Sequence, residues 1–175
     1  MVERNFKTAW KAGSSPIPAI TRIYKVVENE EFHRPYDSYR ERVGPEECYR
    51  YHGTPRQCEL GVSTKKLCTS STCAVCNILK TSFKVDLAKP SGAFGKGVYT
   101  SSASNKAFSY CKEDGALLLN KAVLGRVRQV HGWNEVMSCP PEHDSVVFDR
   151  FRGVLNETIF YSDDAIRPVF LIIFQ

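Results

Sequence analysis

The stretch GALLLNKAVLGRVRQV, residues 115–130, leaves few folds open to this chain. It reads as one long β-type run, with Gly125 marking a bulge. The apolar segment RPVFLIIF (167–174) reads as a strand, as do AITRIYKVV (19–27), CYRYHG (48–53), VYT (98–100) and TIFY (158–161). Helical patterns are short by comparison. Asn29 can cap a helix through ENEEFHRPYDSYRERV, with acids in its first turn and Phe32, Tyr36 and Tyr39 at helical spacing; Pro35 imposes an early start or a kink. Further helices are expected over CAVCNILKTSF (73–83) and over SNKAFSYC (104–111), the latter capped by Ser104. The first ten residues form a short preceding element, followed by the Pro/Ser/Gly lead-in KAGSSPIP (11–18). Strands dominate with short helices between them, which is an α+β pattern. A chain of 175 residues supports one domain with a full core rather than two.

Several classes drop out. No run of about 18 apolar residues exists to cross a membrane as a helix. The opening MVERNFKTAW lacks the basic-then-apolar pattern of a secretory signal, so an intracellular protein, cytoplasmic or nuclear, is expected. The net charge of +5 comes from scattered basic residues; it permits contact with an acidic nucleotide or nucleic acid without demanding it.

Seven cysteines are many for such a chain, and the odd number excludes a complete disulfide framework. Cys58, Cys68, Cys73 and Cys76 follow the spacing C-x9-C-x4-C-x2-C. Two thiolates three positions apart can grip one Zn²⁺ from a tight turn, and the two upstream cysteines complete a tetrahedron. Four sulfurs would close the coordination shell, so such a zinc is structural. The same spacing is open to free or buried thiols or a redox pair. Cys48, Cys111 and Cys139 are expected to pack as small hydrophobes.

The loop GAFGKGVYTSS (92–102) has the look of a phosphate cradle, and spacing rejects it. A Walker loop needs four residues between its first glycine and the Gly-Lys pair, then Ser or Thr. Here two residues intervene, and Gly97 and Val98 follow Lys96. The dinucleotide fingerprint fails too, because Thr100 stands where its third glycine belongs. What remains is a glycine-flanked turn that delivers Tyr99 on a strand end, then a helix bearing Tyr110.

Three stretches in order, YRYHGTPR, FGKGVYTSSASNKAFSYC and NETIFY, resemble the catalytic domain of the poly(ADP-ribose) polymerases, the His-Tyr-Glu class of diphtheria-toxin-like ADP-ribosyltransferases. ITRIYKVVENEEF, CNILKTSF, GALLLNKAVLGRV and DDAIRPVFLIIF fall where the family has its first strand and helix, its helix after the His-Gly strand, its central strand and its last strand. The resemblance spans about residues 16–175. It implies a fold of two packed, mainly antiparallel sheets with short helices. The whole chain would be a single catalytic domain carrying a Cys-rich insert at about 58–76.

The resemblance also implies a substrate, NAD⁺, and a reaction: cleavage of its nicotinamide–ribose bond and transfer of ADP-ribose, in one unit or many. Glu157 matches the glutamate that would bond the ribose 2′-OH and stabilise the developing oxocarbenium charge. His52 matches the histidine that binds ribose hydroxyls, and the Gly53 backbone would read the carboxamide. Tyr99 would pack under the nicotinamide ribose and Tyr110 would stack on the nicotinamide ring. Ala107 departs from the family, which carries a serine there that donates to the carboxamide; Ser109 and Thr54 are the candidates to replace that hydroxyl. The Cys-rich insert departs as well, and a zinc in it would staple the His52 strand to the following helix. His33, His131 and His143 are expected to be structural.

The acceptor side, roughly 131–156, reads as a short, proline-containing loop, which favours single transfer or hydrolysis. The acceptor itself, whether protein, nucleic acid or water, is open; a monomer is expected. Without regulatory helices or DNA-reading fingers ahead of the core, access of NAD⁺ is not expected to depend on DNA breaks. Two other functions compete: a catalytically silent NAD⁺ or ADP-ribose-binding module, and a zinc-stabilised nucleic-acid-binding domain.

Overall fold

A computed structural model describes residues 1–11, 16–111, 115–150 and 155–174. Part of the expected lead-in (12–15) and part of the expected acceptor loop (151–154) lie outside the described residues. The first sheet holds β1 (Ile20–Lys25), β2 (Glu47–Thr54), β4 (Ala116–Val123) and β8 (Ile166–Phe174) in the order β1-β8-β4-β2, all antiparallel. The second holds β3 (Val98–Thr100), β5 (Val127–Val130), β6 (Ser145–Arg150) and β7 (Leu155–Phe160) in the order β3-β7-β6-β5, antiparallel except for the parallel β5–β6 pair. Among the described residues four α-helices flank them: α1 (Val2–Ala9), α2 (Glu30–Val43), α3 (Ala74–Thr81) and α4 (Ser104–Phe108). Two mainly antiparallel sheets with short helices is the α+β arrangement the sequence called for.

β4 shows why its sequence is so apolar: both of its faces are covered. Leu117 and Leu119 face a cluster with Phe6, Tyr51 and Ile172, while Ala116, Leu118 and Ala122 face another with Tyr36, Phe83 and Val75. Val98 and Phe160 of the second sheet join that second cluster, which packs the sheets together. α2 begins as predicted, with the Asn29 side chain accepting from the Glu31 N–H at 3.4 Å and acids in the first turn facing the helix dipole. It continues through Pro35, and Tyr36 and Tyr39 are its buried residues.

Three expectations need correction. The run 115–130 is not one strand with a bulge. It breaks at Leu124–Arg126, and β4 and β5 belong to different sheets. Gly125 makes this crossover at φ +58°, where a Cβ would fall 2.3 Å from Val43 Cγ1 and 2.6 Å from Asp144 Oδ2. The acceptor segment 131–156 is not all loop: it contains β6, whose Val146 and Phe148 are buried. Pro140 and Pro141 read as a loop signal, although the run VVF (146–148) has the β-branched and aromatic residues that strands favour. Ser104 does not cap α4; it is the first helical residue, and its Oγ donates to Phe6 O at 2.8 Å, tying α4 to α1.

Candidate active site

The two sheets meet where β2 passes the end of β3. Tyr51 and Ser101 exchange backbone hydrogen bonds of 2.7 and 2.9 Å. That junction sets His52 and Gly53 beside Tyr99, and α4 closes the third side. Gly53, Tyr99, Ala107, Tyr110 and Glu157 all line the resulting cleft, together with Lys106.

His52 turns its Nδ1 to the Tyr99 carbonyl at 2.8 Å, and its ring meets Phe83 edge-on with centroids 5.2 Å apart. Burial lowers its pKa, partly offset by the bond to Tyr99, so the imidazole is held towards its neutral form. A carbonyl only accepts, so Nδ1 carries the proton and Nε2 keeps a lone pair for a donor such as a sugar hydroxyl.

Gly53 is required by the protein itself. A Cβ there would lie 1.9 Å from the Ala107 carbonyl oxygen and 3.1 Å from Cys111 Sγ. Gly53→Ala should therefore push α4 away from β2, costing about 1–3 kcal/mol and disordering the cleft; thermal denaturation beside an activity assay checks both.

The glycine loop that resembled a phosphate cradle has another task. It wraps the Tyr99 phenol, which accepts from Phe94 N–H at 2.8 Å and donates to Gly95 O at 2.9 Å. A Cβ on Gly92 would lie 2.3 Å from that hydroxyl. Lys96 points elsewhere, to Asp86 at 3.0 Å.

Glu157 is the third residue of β7, inside the strand rather than at its start, and only 3% exposed. Its Oε1 accepts from Tyr110 Oη at 2.6 Å and pairs with Lys106 Nζ at 2.9 Å. Lys106 also donates to Tyr110 Oη at 3.0 Å. Burial opposes the Lys106 charge, but its bonds to Tyr110 and Glu157 prevail and raise its pKa; burial and the Glu157 bond raise that of Tyr110. Ammonium, phenol and carboxylate thus form one closed triangle. The space left in the cleft is about 10 Å³, room for roughly one water. His52, Thr54 and Ser109 are not among the described lining residues; Ser109 Oγ donates to Lys106 O at 2.7 Å.

Lys106 is the residue that sequence reasoning missed. Its only signal was the i, i+4 spacing to Tyr110, and its partner lies on another strand. Asn156 was missed too: its Oδ1 accepts from Ser101 Oγ at 3.1 Å and from Ser102 N–H at 3.0 Å, fixing the turn that leads into α4.

Beside the cleft, Cys58, Cys68, Cys73 and Cys76 converge, their four sulfurs all within 4.8 Å of one another. Cys58 Sγ lies 3.7 Å from Cys73 Sγ and 3.6 Å from Cys76 Sγ. A disulfide would need about 2.05 Å. A tetrahedron with Zn–S bonds of about 2.3 Å sets its sulfurs about 3.8 Å apart. The donor set and its spacing therefore fit a metal ion. The Cys68 N–H donates to Cys76 Sγ at 3.4 Å, the kind of second contact that steadies a thiolate ligand. Burial opposes ionisation of Cys73, but backbone hydrogen bonds at Gln57 and Cys76 bring its pKa down to about 7. Burial raises those of Cys58 and Cys76.

The cleft thus lies between two mainly antiparallel sheets, with the buried Glu157 carboxylate and Gly53 of β2 both on its walls. The family model of the poly(ADP-ribose) polymerase catalytic domain matches residues 1–169, and the chain belongs to that family. Comparison with curated proteins returned no match. Family membership supports a transferase of the ADP-ribosyl type, and NAD⁺ as a substrate fits such a domain.

Proposed function

We propose that the protein is an NAD⁺-dependent ADP-ribosyltransferase that breaks the nicotinamide–ribose bond and passes ADP-ribose to an acceptor, using His52, Tyr99 and Glu157. The observation that carries this is the buried Glu157 carboxylate, set on the same cleft as Gly53 and Tyr99. As the bond to nicotinamide lengthens, positive charge grows on the ribose, and a fixed carboxylate gains attraction with it. His52 Nε2 accepts from a ribose hydroxyl, the Gly53 backbone reads the carboxamide, and Tyr99 backs the sugar. Tyr110 must leave Glu157 for a nicotinamide ring to enter and stack against it. We place the whole chain, 1–175, in one catalytic domain that acts as a monomer on a protein, a nucleic acid or water. Seven cysteines with no disulfide among them fit a reducing, intracellular setting.

The four clustered cysteines are proposed to hold one structural Zn²⁺. The insert they tie leaves β2 after Thr54, two residues past His52, and returns through α3 to Phe83, which touches the His52 ring. A closed four-thiolate shell leaves no coordination site for chemistry.

Ala107 is 2% exposed and supplies no hydroxyl to the cleft. Ala107→Ser should tighten NAD⁺ binding by roughly 2–10-fold, the worth of one hydrogen bond of about 0.5–1.5 kcal/mol; titration calorimetry reads it directly. The missing hydroxyl and the closed Glu157 triangle favour a second reading, a silent ADP-ribose-binding module. Incubation with excess NAD⁺ separates the two. Nicotinamide release supports the transferase, whereas tight ADP-ribose binding with NAD⁺ recovered intact supports the module.

A further inference from the structure

The Cys-rich insert also shapes a second concavity of about 310 Å³, on the opposite edge of the first sheet from the His52 strand. One wall is the end of β1 and the residues after it; the other is the segment from Leu60 to Leu67. Leu60, Leu79 and Leu171 give it an aliphatic lining, and Val27, 88% exposed, stands at its rim.

β1 is an edge strand: among the described residues only β8 pairs with it. The Val26 N–H donates to Val169 O at 2.9 Å, and Tyr24 sits opposite Leu171 in the same register. Antiparallel pairing alternates, so Ile23 and Lys25 turn their backbone groups to the open side. Such an edge is a template for another strand. A lysine alone would serve to blunt it; an aliphatic pocket beside the edge provides the anchor that a merely blunted edge lacks. Lys25 and Lys65 are the charged residues among the described lining, and no acid joins them.

We propose that this groove docks an extended acidic segment of a partner protein. The segment adds a strand to the β1 edge, seats one aliphatic side chain in the leucine-lined pocket and sets carboxylates against Lys25 and Lys65. Two lysines over a concave aliphatic surface do not make the polybasic face that anionic lipid needs. Nor do they make the aromatic–basic track that binds single-stranded nucleic acid. The inference is independent of the catalytic reading, because none of the groove residues lines the cleft.

The test is to pan a displayed library of random peptides against the whole, zinc-supplied chain. The best binder is then measured by fluorescence anisotropy on the parent and on two surface variants, Lys65→Glu and Val27→Asp. Enrichment of peptides with an aliphatic residue flanked by acids is expected. Both variants should lose about tenfold or more in affinity while releasing nicotinamide at the parent rate. Failure to enrich, winners without acids, or unchanged binding to both variants overturns the proposal. So does phosphatidylserine vesicle binding that the same variants abolish, which would assign the surface to lipid.

Discussion

Glu157→Gln should lower nicotinamide release by about 10²–10³-fold, the usual cost of removing one preorganised charge-stabilising group. Glutamine keeps the size and one acceptor oxygen, so the side chain still fits its 3%-exposed site. What it loses is the charge, whose attraction grows as the positive charge moves from the nicotinamide ring onto the ribose. The affinity for NAD⁺ should therefore change far less than the rate. The substitution also strips Lys106 of its counter-charge, and that ammonium is only 14% exposed. A drop in melting temperature is expected for that reason and is measured separately by calorimetry. An unchanged rate would remove Glu157 from the chemistry.

The second large effect concerns the thiol cluster. Metal binding in small thiolate sites is worth about 10–16 kcal/mol in isolated finger peptides. If only a third of that supports this fold, losing the metal costs about 3–5 kcal/mol, and the melting temperature falls by roughly 6–20 °C. Cys58→Ser should show this fall, because Cys58 is partly exposed and serine fills its place with little strain. Cys139→Ser, a cysteine outside the cluster, is the control and should melt near the parent temperature. Elemental analysis of chelator-free protein should find one zinc per parent chain and much less in Cys58→Ser. Equal melting of the two variants, with no metal in the parent, would reduce the cluster to packed thiols. Because Phe83 links the insert to His52, loss of the metal should also reduce transferase activity.

Local patterns carried much of the fold. The Asn29 cap, the strands at 20–25 and 166–174 and the helix after Cys73 follow from residues close in sequence. The failures share a cause: each depends on a partner far along the chain. Gly125 inside a β-type run signals an irregularity, but only the packing of Val43 and Asp144 makes it a crossover between sheets. β6 is three apolar residues, Val146 to Phe148, in a polar stretch, and becomes a strand because β7 and β5 flank it. At the site, the glycine loop was legible as something other than a phosphate cradle. Its grip on the Tyr99 hydroxyl was not, because backbone donors leave no mark in the residue code. The triangle of Lys106, Tyr110 and Glu157 joins residues about fifty positions apart, so sequence spacing could not announce it.

The most direct test of the central claim, cleavage of NAD⁺ at its ribose with Glu157 as the catalytic carboxylate, is mass spectrometry of the full reaction mixture. Parent protein incubated with NAD⁺ should release nicotinamide, with whole ADP-ribosyl units appearing on any protein acceptor present. Glu157→Gln should leave NAD⁺ essentially untouched over the same period. Intact NAD⁺ and unmodified protein in both samples would contradict the account, and so would equal turnover by the two.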